Sequence, residues 1–147
     1  MQAVIRVDSS ELIGAGHVMR CLALAEELRD RDWDVVFVCR ELSGHVSKQL
    51  QSRGFEVRFL PSAQPQQSGP GYARWLGCSQ EQDSADTRML LREMPPADLL
   101  VVDHYALDSR WERVIAPEVR RILVIDDLAN RSHSCSMLLD QNYRHAH

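Results

Sequence analysis

Short apolar runs alternate with longer amphipathic segments along the chain, and the alternation lays out a series of elements. Residues 3–7 form an apolar run, and the segment after Gly16 carries Val18, Cys21, Leu22, Ala25 and Leu28 at the spacing of one helical face, ending near Arg31. Residues 35–39 have the β-branched character of a buried strand. Ser43 then offers a cap for a helix to about Arg53, and Gly54 stands where glycine is favoured after a helix end. An extended pattern resumes over 55–60. Residues 61–71, rich in Pro, Gly, Gln and Ser, read as a surface loop. Beyond it lie Trp75-Leu76-Gly77 and a polar helix over 80–93, stopped by Pro95 and Pro96. The strand over 98–102 is the most apolar and belongs mid-sheet. A helix over 107–115, a strand over 121–125 and a short strand over 137–139 complete the pattern. Alternating strands and helices call for parallel strands with right-handed crossovers. The expectation is therefore an α/β fold, a Rossmann-like three-layer domain with a parallel sheet in the order 3-2-1-4-5.

At 147 residues, with 44% hydrophobic and 26% charged, the chain matches one ordinary globular domain with a substantial core. A net charge of -4 gives no reason to expect nucleic acid as a partner. No apolar run approaches the roughly 20 residues that cross a bilayer, so no membrane partner is expected. Cys21, Cys39, Cys78 and Cys135 are spread without a Cys-x-x-Cys pair. That fits neither a zinc site nor a disulfide framework, and it points to reduced, cytoplasmic surroundings.

Candidate chemistry gathers at residues 8–20, where a strand passes through a glycine loop into a helix. Gly14 and Gly16 allow unusual backbone conformations and close ligand approach, and the helix start offers unpaired N–H groups suited to an anionic or strongly polar ligand. His17 is the only side chain there that trades a proton near neutral pH. In parallel sheets ligands lie beyond the carboxyl ends of the strands, where strand order reverses. Three strands end in acids there, at Asp8, Asp103 and Asp126-Asp127, so Asp8, His17 and Asp103 are expected around one cleft with Tyr105 facing it. Plainer alternatives stand beside each candidate. The aspartates after strands also suit helix caps, Arg20 suits an acid pair as well as a ligand contact, and Trp75 and Trp111 suit packing. His45, His104, His145 and His147 have no metal-site spacing, and no metal or other cofactor is expected. Gly14-Ala15-Gly16 lacks the third glycine of a dinucleotide loop, and no Gly-Lys-Ser/Thr is present, so nicotinamide cofactors and ATP fit poorly.

Several separated motifs occur together and in order. Arg6-Val7-Asp8-Ser9-Ser10, Ile13-Gly14-Ala15-Gly16-His17 with Arg20, Trp75-Leu76-Gly77, and Asp103-x-Tyr105-x-x-Asp108-x-x-Trp111 come first. Ile125-Asp126-Asp127-Leu128-Ala129-x-Arg131-x-His133 and Leu138-Leu139-Asp140-Gln141-Asn142 follow. In these the chain resembles, nearly end to end, the UDP-sugar hydrolases of pseudaminic acid biosynthesis, relatives of the MurG-like GT-B glycosyltransferases. The resemblance implies the amino-terminal half of a GT-B fold spanning residues 1–147, with a carboxyl-terminal nucleotide-binding domain absent. It implies release of UDP from UDP-2,4-diacetamido-2,4,6-trideoxy-β-L-altropyranose by an inverting, metal-independent route, with His17 as general base. Asp8, Gly14, Gly16, Arg20, Tyr105, Asp126, Asp127 and Asn142 would line the substrate, and Asp8 or Asp103 would orient the imidazole. Ser136 departs from the pattern, which has aspartate there. A GT-B glycosyltransferase and a non-catalytic sugar-binding module are the alternative readings.

Overall fold

The apolar run at the amino terminus becomes a central strand because its side chains on both faces find helices to pack against. The structure, a computed structural model, describes residues 1–63 and 71–142. Its strands are β1 (Gln2–Val7), β2 (Asp34–Arg40), β3 (Glu56–Leu60), β4 (Leu99–Asp103), β5 (Ile122–Ile125) and β6 (Met137–Leu139). Its helices are α1 (Gly16–Asp30), α2 (Ser47–Ser52), α3 (Gln80–Arg92) and α4 (Ser109–Ile115), with a 3-10 segment at Gly71–Leu76. The sheet runs β3-β2-β1-β4-β5-β6, all parallel, so the order expected from sequence is present and β6 extends it by one strand.

Period-two alternation divides the core. Ile5, Val7, Phe37, Cys39 and Val101 pack with Val18, Cys21, Leu22 and Ala25 of α1 and Leu50 of α2. Val4, Val38, Leu60, Leu100, Val102 and Val124 pack on the other side with Leu91 of α3 and Trp111 and Ile115 of α4. Each such buried Ile, Leu or Phe side chain contributes about 1.5–3 kcal/mol.

Local departures from the sequence reading have identifiable causes. Ser43 does not cap α2, which begins only at Ser47, behind Val46 and without a side-chain cap. The Ser43 carbonyl instead accepts the Glu11 N–H at 3.0 Å, and Ser9 Oγ accepts the Val46 N–H at 2.9 Å, so this stretch is drawn onto the glycine loop. Helix α4 starts at Ser109 rather than 107 because Asp108 is its cap, accepting the Arg110 N–H at 2.9 Å. Of the loop expected at 61–71, residues 64–70 lie outside the described residues, as do His145 and His147. Among the described residues no helix is long and apolar enough to cross a membrane.

Candidate active site

The end of β4 and the first turn of α1 meet at the carboxyl edge of the sheet, and alternation decides which acid arrives there. Val7 and Asp103 are register partners on the two central strands. With Val101 they face α1. Asp8, one residue later, goes to the α3 side with Arg6. Asp103 therefore receives His17: Nδ1 lies 2.7 Å from Asp103 Oδ1. A carboxylate only accepts, so the shared proton sits on Nδ1, and Nε2 keeps its lone pair in the neutral ring. Both polar contacts of the ring within the described residues fall on Nδ1. His17 is 8% exposed.

Arg20, one turn along α1, forks onto the same carboxylate, with Nε 2.5 Å from Oδ2 and Nη2 2.5 Å from Oδ1. Burial pushes the Asp103 carboxyl up, but hydrogen bonds from Arg20 and His17 outweigh it and hold the group below its ordinary value. The remaining Arg20 nitrogen, Nη1, stands 3.7 Å from Asp127 Oδ2. Asp127 Oδ1 accepts the Tyr105 hydroxyl at 2.5 Å, and Asn142 Nδ2 reaches Oδ2 at 3.5 Å. Burial and the bond to Asp127 push the Tyr105 phenol up to about 12, so it stays a donor. The Tyr105 ring meets His17 edge-on at 4.5 Å and stacks on Trp75 at 5.7 Å, with Tyr72 closing the group at 4.7 Å from Trp75. Trp75 also borders a cavity of about 290 Å³ walled by Ser10, Leu12, Leu42, Ala63 and Gly77.

The start of α1 is open. Ala15 at its cap makes no side-chain bond, and no acid occupies the first turn. Gly14 has φ +78°, and a Cβ on it or on Gly16 would meet nothing within 4 Å.

Beneath this layer, on the α3 side, lies a fully buried ionic cluster. Arg6 binds Asp8 at 2.5 and 3.0 Å and Asp83 at 2.6 Å, and Arg40 binds Asp83 at 2.9 Å. The Arg40 N–H adds a 2.7 Å bond to Asp8. His104 accepts the Ala106 N–H at Nδ1, so its Nε2–H donates to Asp8 at 3.0 Å. Burial raises both carboxyls, but Arg6 first among their partners holds Asp8 well below the carboxylate range and Asp83 below its ordinary value. Trp111 Nε1–H also donates to Asp83, at 2.9 Å, from within the core.

The sequence candidates thus divide. His17, Arg20, Asp103, Tyr105, Asp127 and Asn142 form one connected group with Gly14 and Gly16 at its open edge, whereas Asp8 is enclosed in the cluster below. Asp126 is bound within its own loop, to His133 Nε2 at 2.6 Å, Arg131 and the Leu128 N–H. His133 also reaches Glu112 at 2.7 Å, and Ser136 Oγ accepts the Ile122 N–H at 3.2 Å, tying that loop to β5. The roles of Arg6, Asp83 and Tyr72 escape the sequence reading. Arg6 carried a signal, a charge inside an apolar central strand; Asp83 hides in a helix whose composition looks solvated.

The fold and the position of this group define the class: a Rossmann-like α/β domain, the amino-terminal half of a GT-B fold. The crystal structure of Acinetobacter baumannii MurG matches with a TM-score of 0.57 over 86% of this chain and 35% of that one, at 12% identity, a likeness of fold. In sequence the chain is similar to the UDP-2,4-diacetamido-2,4,6-trideoxy-β-L-altropyranose hydrolase of Campylobacter jejuni, 27% identical over 143 residues. That match covers 97% of this chain and 42% of the relative, so the chain spans less than half the relative's length. No protein-family model matches the chain.

Proposed function

We propose that the chain is the amino-terminal domain of an enzyme that hydrolyses a UDP-linked diacetamido-trideoxy sugar to free sugar and UDP, as in pseudaminic acid biosynthesis, with His17 as general base. The observation that carries this reading is the engagement of Nδ1 by Asp103, which leaves Nε2 as the proton acceptor. In the step itself, Nε2 takes a proton from water as the water oxygen bonds the anomeric carbon. The bond from that carbon to the pyrophosphate oxygen breaks on the opposite face, and UDP leaves as an anion, inverting the centre. The N–H groups at the open start of α1 face the developing charge. Asp8 lies in the buried cluster below and Asp126 is bound within its own loop, so the sugar contacts are assigned to the groups gathered around His17: Tyr105, Asp127, Asn142 and the backbone at Gly14 and Gly16. The main nucleotide grip is assigned to a carboxyl-terminal domain. The 147 residues alone should then fold but release UDP only weakly. Four free cysteines fit a reducing, cytoplasmic setting.

The test is UDP release from the UDP-sugar by the chain joined to a carboxyl-terminal domain. His17→Asn should cost about 100- to 10,000-fold, the range of general-base catalysis. Turnover within a few-fold of the parent removes His17 from the chemistry. EDTA should leave the rate unchanged, and loss of turnover on chelation would overturn the metal-free route. UDP accumulating only when an acceptor sugar is added would make the enzyme a glycosyltransferase instead.

A further inference from the structure

We infer that Arg20 is a positioning residue for His17 and not a substrate contact, an inference that rests on His17 as the base. Nε and Nη2 hydrogen-bond Asp103 and Nη1 stands 3.7 Å from Asp127, so the guanidinium is held between two protein acids. The two carboxylates follow different strands, β4 and β5, and the arginine draws them to one point. Asp127 in turn holds the hydroxyl of Tyr105, whose ring edge rests on His17. The contacts therefore close a circuit from His17 through Asp103, Arg20, Asp127 and Tyr105 back to the imidazole. Both the hydrogen bond that fixes the tautomer and the ring that fixes the tilt depend on one side chain.

The inference is tested in two ways that fail separately from the base assignment. In the 147-residue chain, nitrogen NMR of the His17 ring should show one neutral tautomer, protonated at Nδ1, with ring protons shifted by Tyr105. Arg20→Met should mix the tautomers and move those protons, and Arg20→Lys should recover part of the change. Unchanged spectra would overturn the inference. Should Arg20→Met not fold, Arg20→Lys and Asp127→Asn carry the same reading, and a wild-type signal in both overturns it. In the chain joined to its carboxyl-terminal domain, Arg20→Met should lower kcat about 10- to 100-fold through misaimed groups, with KM within about threefold. A tenfold rise in KM at unchanged kcat would instead give Arg20 to the substrate. If His17→Asn keeps its turnover, the base assignment falls, while the NMR result still decides whether Arg20 positions the ring.

Discussion

Asp83 receives both buried arginines, Arg6 and Arg40, together with the Trp111 indole N–H. Replacing one member of such a set leaves opposite charges buried without compensation, which costs about 3–5 kcal/mol. Asp83→Ala should therefore lower stability by that amount in urea unfolding. A loss below about 1 kcal/mol would show that the arginines find other partners. The same residue scale explains what could be read beforehand. That His17 and an aspartate share the carboxyl edge of the sheet followed from strand ends and helix starts. Which aspartate it is depends on the parity of positions 7, 8 and 103, and parity acquires meaning only once β1 and β4 are known to pair with Val7 beside Asp103. Asp8 and Asp103 therefore remained equivalent in the sequence. Arg20 was open between an acid and a ligand for the same reason, since the distance from α1 to β4 is a tertiary quantity.

Among the elements, the strands and long helices were legible because burial on one face or both imposes a period, and a period survives in sequence. Short elements answer to neighbours. The stretch before α2 is fastened to the glycine loop by Glu11 and Ser9, and a cap assigned from Ser43 alone had no access to that contact. Gly44 shows how close the two loops come. It has φ +78°, and a Cβ there would stand 2.5 Å from Glu11 Cγ and 2.9 Å from the Glu11 nitrogen. Gly14 shares that φ but faces open space. Gly14→Ala should thus cost only the left-handed backbone penalty of about 1–2 kcal/mol, and Gly44→Ala should cost clearly more, both read as shifts in Tm. Equal losses would mean that the loops separate without resistance. Helix α3 illustrates the opposite difficulty: its composition reads as solvated, yet Asp83, Ser84 and Thr87 are buried, Asp83 between two arginines and Thr87 Oγ1 on Asp83.

For the molecule as a whole, the depressed carboxyls set its response to acid. Asp8, Asp83, Asp103 and Asp126 all lie below their ordinary values when folded, as partner hydrogen bonds and arginine charge outweigh burial. The unfolded chain then binds more protons than the folded one on the acid side. The stabilisation is fully present above the ordinary carboxylate value of about 3.9 and is lost as pH falls below it toward the folded values. Urea midpoints should be nearly flat from pH 7 to about 5 and fall steeply below about 4. A midpoint that holds steady through pH 3 would contradict the buried ion pairs. The ionic floor under the site has a further consequence for descent. Arg6, Asp8, Arg40 and Asp83 complete one another, and loss of any one alone strands the others, so homologous sequences should keep the four as a set or exchange them together for hydrocarbon, with few lineages caught halfway.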